Sequence, residues 1–259
     1  MMKSLFFSLC CFIYMTPAAI AAELTGRDIA QRSDQADSAA DSFRHAIMVI
    51  ERGNQKLVRK MRMWEKKYGD DDRTLFRFDE PSDVRDTQYL SWNYNAVDQE
   101  DDLWLYLPTE NLVRRISGGG KKGAFMRSDF ANEDIEKRAV DDDVHTLLGS
   151  EHCHDGRACY LLESVPIPAK ARFSNYAKRK IWIDKQHWLA HKVEYYDKRG
   201  RLLKTMIQGD IQEIDGVWTA TKLIMQTHGK ASRTLMQYQD IEYNQGLDDS
   251  LFQQSALKR

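Results

Sequence analysis

Residue types that commonly carry catalysis occur in this chain, but not in arrangements that perform it. There is no G-x-S-x-G elbow, no H-E-x-x-H pair and no glycine-rich dinucleotide fingerprint. "GGGKKG" at 118–123 offers glycines and lysines, yet Ala124 and Phe125 stand where a phosphate loop needs Lys-Ser or Lys-Thr. It reads as a mobile loop. His45, His145, His187, His191 and His228 stand singly, with no nucleophile or carboxylate that the sequence assigns to them. The acidic runs 70–72, 100–102 and 141–143 lack the alternating pattern with a central glycine that a calcium loop needs, so they read as solvated turns. The expectation is a protein that is not an enzyme and holds no cofactor and no metal.

Two cysteines raise a sharper question. Cys153 and Cys159 lie in "EHCHDGRACYLL", and in an oxidising compartment they most simply form one disulfide closing a hairpin. The alternative is a metal site of His152, Cys153, His154 and Cys159. Against it, residues 152 and 154 point away from 153 if the segment is a strand.

The compartment follows from the start of the chain, "MMKSLFFSLCCFIYMTPAAIAAELTG". Lys3, the apolar run Leu5–Met15, Pro17 and the small-x-small Ala19-Ile20-Ala21 make a signal peptide over 1–21, cut after Ala21. Cys10 and Cys11 lie inside the apolar run, so a lipid-modified first residue is not expected. The mature chain, 22–259, is expected to be soluble, periplasmic and a single domain. With Lys3 removed, 37 basic residues face 39 acidic ones. That balance gives no argument for nucleic acid or for strong attraction to an anionic membrane surface.

The elements that would position any site are mostly strands. Thr25 with Asp28 marks a capping box and an N-terminal helix. "FRHAIMVIERGNQKLVRKMRMWEKKYGDDDRTLFRFDEP" then reads as three strands with turns at Gly53-Asn54 and Gly69-Asp70 and an end at Pro81. "TQYLSWNYN", "DLWLYLP", "RKIWID", "WLAHKVEYYD", "RLLKTMIQ", "GVWTATKLIMQT" and "RTLMQYQDIEY" continue the pattern, with short turns at Asp184-Lys185, Arg199-Gly200 and Asp215-Gly216. Tight turns make sequential strands antiparallel neighbours. The fold expected is mainly β, an antiparallel meander closed or partly closed into a barrel. "FANEDIEKR" and "LDDSLFQQ" are candidate short helices, the latter capped by Asp248 or Asp249.

Apolar bulk on these strands is what stands out. Met48, Met61, Met63, Met126, Met206, Met225 and Met236 fall almost entirely on predicted strands, where β-branched residues are the usual choice. Methionine fills irregular gaps and lines surfaces that accept varied apolar partners. Within strands, Met61 with Met63, Phe76 with Phe78, and Leu90 with Trp92 and Tyr94 share faces. In "LWLYLPTENLVRRI", residues 103–107 are apolar on both faces, so both need cover.

These residues resemble the LolA-like family of outer-membrane lipoprotein-sorting proteins, and more narrowly its periplasmic branch associated with RND/MMPL-type exporters. The resemblance runs from about Phe43 to Leu257 and is carried by "FRFDEPSDVRDTQYL", "LWLYLPTENLVRRI", "AFMRSDFANEDI", "YYDKRGRLLK" and "DDSLFQQSAL". Asp86 and Arg127 stand where the family commonly has glycine. The resemblance implies an incomplete antiparallel β-barrel with a few helices covering its concave face, and acyl chains entering between sheet and helices. It implies a non-enzymatic periplasmic carrier or accessory protein for a lipid or acylated lipoprotein, working with an RND-type exporter or in outer-membrane lipoprotein and lipid sorting. The residues expected to line its cavity are Met61, Met63, Phe76, Phe78, Leu90, Trp92, Trp104, Tyr106, Phe125 and Met126. The alternative function is a lipid-responsive regulator that binds a membrane protein; a hydrolase of envelope lipids would need a catalytic group that only the fold assembles.

Overall fold

The capping signal at Thr25 starts a helix where the sequence predicts one. In the computed structural model, which describes residues 23–258, α1 spans Gly26–Ala36. The Asp28 amide donates to Thr25 Oγ1 (3.1 Å) and the Thr25 amide donates to Asp28 (2.9 Å). The expected signal peptide, its cleavage site, Cys10 and Cys11 lie outside the described residues.

Thirteen strands follow in one sheet. They are β1 (Asp41–Arg52), β2 (Gln55–Tyr68), β3 (Asp71–Glu80), β4 (Gln88–Asn93), β5 (Asp102–Leu107), β6 (Leu112–Arg115) and β7 (Asp143–His152). The rest are β8 (Ala158–Pro166), β9 (Tyr176–Asp184), β10 (Ala190–Asp197), β11 (Leu202–Ile214), β12 (Val217–Thr227) and β13 (Ser232–Tyr243). Asp215-Gly216 does what the sequence predicts: both residues have positive φ (49° and 81°), the geometry that a two-residue hairpin between twisted strands requires. Strand β6 is an addition to the sequence reading, and β7 and β8 extend the hairpin expected around the cysteines. On β7 no side chain is buried, so it lacks the buried-and-wet alternation of an ordinary half-buried strand.

The sheet order is β6-β5-β4-β3-β2-β1-β13-β12-β11-β10-β9-β8-β7, antiparallel at every junction and open between β6 and β7. From β1 the chain meanders outward to β6, then jumps to the far edge at β7 and meanders back to β13 beside β1. The linking segment, residues 116–142, therefore has to cross the sheet. It does so as 3-10 turns at Gly118–Lys122, Phe125–Arg127 and Val140–Asp142 and a single-turn helix α2, Asn132–Ile135, within the predicted "FANEDIEKR". Phe76 of β3 and Gln208 of β11 are five strand spacings apart, roughly 24 Å on a flat sheet. Both line one hollow of about 310 Å³ together with Phe130 of the crossing segment, so the sheet is curled around that segment. This is the incomplete barrel the sequence predicts.

The chain's two ends cover the β7 edge and part of the convex face. α1 lies against edge strand β7, where a Cβ on Gly26 would sit 2.6 Å from the His145 carbonyl oxygen. Ile29 of α1 is fully buried with Leu162 and Ile183. The C-terminal segment forms 3-10 turns at Asp249–Phe252 and Gln254–Ala256, with Asp248 accepting from the Ser250 amide as a cap. It covers the convex face of β3 to β5 with Phe252 and Leu257, both buried. The β7–β8 hairpin is tied by the Cys153–Cys159 disulfide (Cα–Cα 5.7 Å).

Candidate functional site

Alternation puts Ala46, Met48 and Ile50 of β1 on the concave face, and antiparallel register carries that face across the sheet. Ala46 pairs Met61, Met61 pairs Phe78, Met63 pairs Phe76, and Phe76 pairs Tyr89. On the other side Met48 pairs Met236, and Met206 pairs Met225. Every methionine among the described residues belongs to this concave cluster, six of them buried and Met126 packed against it. Phe125 from the crossing segment drops into it, with ring centroids 5.5 Å from Phe76, 6.0 Å from Phe78 and 5.1 Å from Tyr89.

The segment does not fill the curl. Beside it runs the hollow, walled by Met63, Phe76, Phe130, Leu223, Met236 and Tyr238. One end is polar. Arg44, on the concave face beside Met63, donates to Ser42 and Glu65 while its guanidinium lies 5.2 Å from the Tyr238 ring centroid. Its Nε is buried without a partner. Burial disfavours the Arg44 charge, but Glu65 and Tyr238 outweigh it and the pKa rises. Burial in turn pushes the Tyr238 phenol to about 12, so that ring stays neutral.

Of the ten residues expected to line a cavity, the structure brings together six: Met61, Met63, Phe76, Phe78, Phe125 and Met126 share the concave cluster, with Met63 and Phe76 on the hollow itself. Leu90, Trp92, Trp104 and Tyr106 are a correction. They lie on the convex face, because Leu75, not Phe76, pairs Leu90, and Leu90 pairs Trp104. A one-residue difference in register parity moves a side chain to the other face. There the C-terminal segment covers them: Trp92 packs edge-on to Trp104 (4.9 Å) and its indole N–H donates to the Phe252 carbonyl at 2.8 Å. Both faces of residues 103–107 are thus accounted for. Leu103 and Leu105 join the concave core, while Trp104 and Tyr106 lie under the tail.

Two further expectations change, and the expected disulfide stands. The acidic runs are only in part solvated turns: Asp70, Glu100 and Asp141 are exposed, but the rest of each run is drawn inward. Asp101, Asp142 and Asp143 pair Lys121, Lys170 and Arg138, and Asp72 pairs Lys137, in a seam that pins the crossing segment. Nor is "GGGKKG" a free loop, since Lys121 is buried between Asp101 (3.2 Å) and Glu136 (2.9 Å). Burial, offset in part by Lys121, pushes Glu136 up to about 7. The metal alternative at the cysteines fails: Cys153 lies beside Asp155 and His191, but its sulfur is bonded to Cys159. His191 is instead fully buried on Asp184, whose carboxyl hydrogen bonds from His191 and from the His187, Gln186 and Leu189 amides hold at about 2 against burial. One pairing the sequence did not show is His145 Nδ1 with Ser164 Oγ (2.8 Å), its Nε2 on the Val140 carbonyl. Ser164 is 1% exposed, which gives that hydroxyl no access to a substrate.

The family model that matches residues 70–259 carries the description uncharacterized protein. Among curated proteins none matches. A DUF1329 family protein from Desulfovibrio piger is 40% identical, with a TM-score of 0.86 over 90% of this chain and 97% of that one. A domain from Vibrio parahaemolyticus named for outer membrane lipoprotein sorting is 33% identical, with a TM-score of 0.84 over 90% and 98% of the two chains. A LolA superfamily protein from Nitrosomonas europaea shares the fold at 21% identity, with a TM-score of 0.71 over 90% and 99%. Matching its 40% identical relative almost end to end, and sharing its open curled sheet with the LolA superfamily protein, the chain belongs to the DUF1329 family.

Proposed function

We propose that this protein is a non-enzymatic periplasmic carrier that holds an acyl chain of a lipid or lipoprotein in the concave hollow. One observation carries the reading: about 310 Å³ of space between curled sheet and crossing segment, with mainly apolar walls interrupted by Asp134, Gln208 and Thr219 and a polar end at Arg44 and Glu65. That volume is at the lower end of the range of small-molecule sites. Each methylene transferred into it from water contributes about 0.8 kcal/mol, so one chain gives ample affinity without covalent chemistry. Methionine walls adapt to chains of different shape, which suits a carrier that must also release its cargo. The lipoprotein-sorting name of the Vibrio parahaemolyticus relative supports the same class of cargo. We assign an RND/MMPL-type exporter as the partner on the sequence resemblance. Among the described residues no helix is long and apolar enough to cross a membrane.

The test is a carboxylate placed in the wall. Met63→Glu and Leu223→Glu should fold, yet lose at least about tenfold of the lipid recovered in organic extracts of the purified protein, because a buried charge is costly and a chain cannot solvate it. Lipid recovery equal to wild type in both would remove the carrier reading.

A further inference from the structure

The end of the barrel opposite Arg44 carries a second opening. A bowl of about 540 Å³ is lined by Arg52, Lys122, Asp129, Phe130, Lys204 and Lys230, among others. They come from the end of β1, the crossing segment, β11 and the β12–β13 turn. Its lining holds four cations against one carboxylate. That carboxylate is already engaged: the hydroxyls of Thr227, Ser232 and Thr234 donate to Asp129 at 2.6, 3.0 and 2.8 Å. Lys204 is paired with Asp134 and buried in the floor. Arg52, Lys122 and Lys230 take part in no ion pair among the described residues, in a protein where most other cations do.

Charge imbalance extends inward from the bowl. Arg59, on the concave face of β2, is 5% exposed, and its Nη1 has no hydrogen-bond partner. Burial lowers its pKa; Asp83 opposes that, and Arg127 adds to it. Arg127 in turn accepts a hydrogen bond from Arg52 through its carbonyl. Lys198, whose ammonium donates to the Tyr176 carbonyl at the bowl wall, is lowered by burial and then by Lys122. A net charge of –1 for the whole chain conceals this local concentration of cations.

Phe130 decides what the bowl is for. It is 3% exposed and forms part of the wall of both the bowl and the apolar hollow. We propose that the bowl is the headgroup subsite of the carrier: the phosphate of an anionic phospholipid sits among Arg52, Lys122 and Lys230 while its chain passes Phe130 into the hollow. This deepens the acyl-chain reading and rests on it. Cations at the mouth attract anionic bilayers from which such a lipid would be drawn.

The experiment compares the mature wild type with Lys122→Glu/Lys230→Glu. Cosedimentation is measured with vesicles of phosphatidylglycerol and phosphatidylcholine (1:1) and of phosphatidylcholine alone, at low salt. Uptake of N-phenylnaphthylamine, a neutral apolar dye, reports the hollow and the folded state. Wild type should prefer the anionic vesicles, and the variant should lose that preference by about tenfold or more with dye uptake unchanged. Equal binding of both vesicle types by wild type, or an undiminished preference in the variant, overturns the proposal. Release by millimolar inorganic phosphate, but not by chloride of matched ionic strength, would assign the site to free phosphate and overturn the headgroup assignment. A wild type that takes up no dye yet prefers anionic vesicles would support the anion site and sink the hollow instead.

Discussion

Glu136 is a carboxylic acid that the fold keeps partly protonated at neutral pH, because its burial within the crossing segment outweighs its pairing with Lys121. Its folded pKa of about 7 lies above the ordinary 4.5, so the folded state holds the proton more tightly than the unfolded state. The stability this contributes is fully present below about 4.5 and is lost as pH rises through about 7. We predict that wild type loses on the order of 2–3 kcal/mol between pH 5 and 8 relative to Glu136→Gln, read from urea midpoints. Parallel midpoints would contradict it. Arg127 shows what a single residue reveals in advance. The sequence resemblance placed glycine at positions 86 and 127, and the structure puts both Asp86 and Arg127 at φ 61°. Met126 beside it is also left-handed at φ 46°. A non-glycine residue pays about 1–2 kcal/mol there. Arg127→Gly should therefore unfold at a denaturant midpoint equal to or above wild type, and Arg127→Val below it; the reverse order would contradict this.

At the scale of elements, alternation was legible within strands and parity between them was not. Met61/Met63, Phe76/Phe78 and Leu90/Trp92 each share a face, as alternation predicts, while Tyr94 falls just past the end of β4. Which face matched which depended on Phe76 meeting Tyr89 rather than Leu90, and register is set by turns and bulges that the sequence does not spell out. The residues under the tail consequently make a structural prediction, not a ligand one. Phe252→Ala should cost about 3–5 kcal/mol by emptying the pocket over Leu75, Leu90 and Trp104, with acyl uptake by the surviving folded protein unchanged. Loss of uptake without loss of stability would show that this face holds cargo. The hairpin disulfide is similarly local. Cys153→Ser/Cys159→Ser closes no loop and should cost about 2 kcal/mol, measured by thermal unfolding under non-reducing conditions; an unchanged midpoint would contradict that.

For the whole molecule, short turns such as Asp215-Gly216 made the antiparallel meander readable before any coordinates. What they did not reveal is the jump from β6 to β7, because residues 116–142 carry no strand pattern and their path is set by where the two edges lie. That path is the reason the concave face is covered, and the acidic runs are the clasps that hold the cover, a role that only the paired lysines and arginines across the fold disclose. The central claim is that the cover leaves room for a hydrocarbon. Native mass spectrometry of wild-type protein released gently from cells tests it most directly, since cargo is seen without being presupposed. The account predicts a population heavier than the mature chain by the mass of one acylated lipid, collapsing to the bare mass in Met63→Glu. A single bare mass for wild type would contradict it.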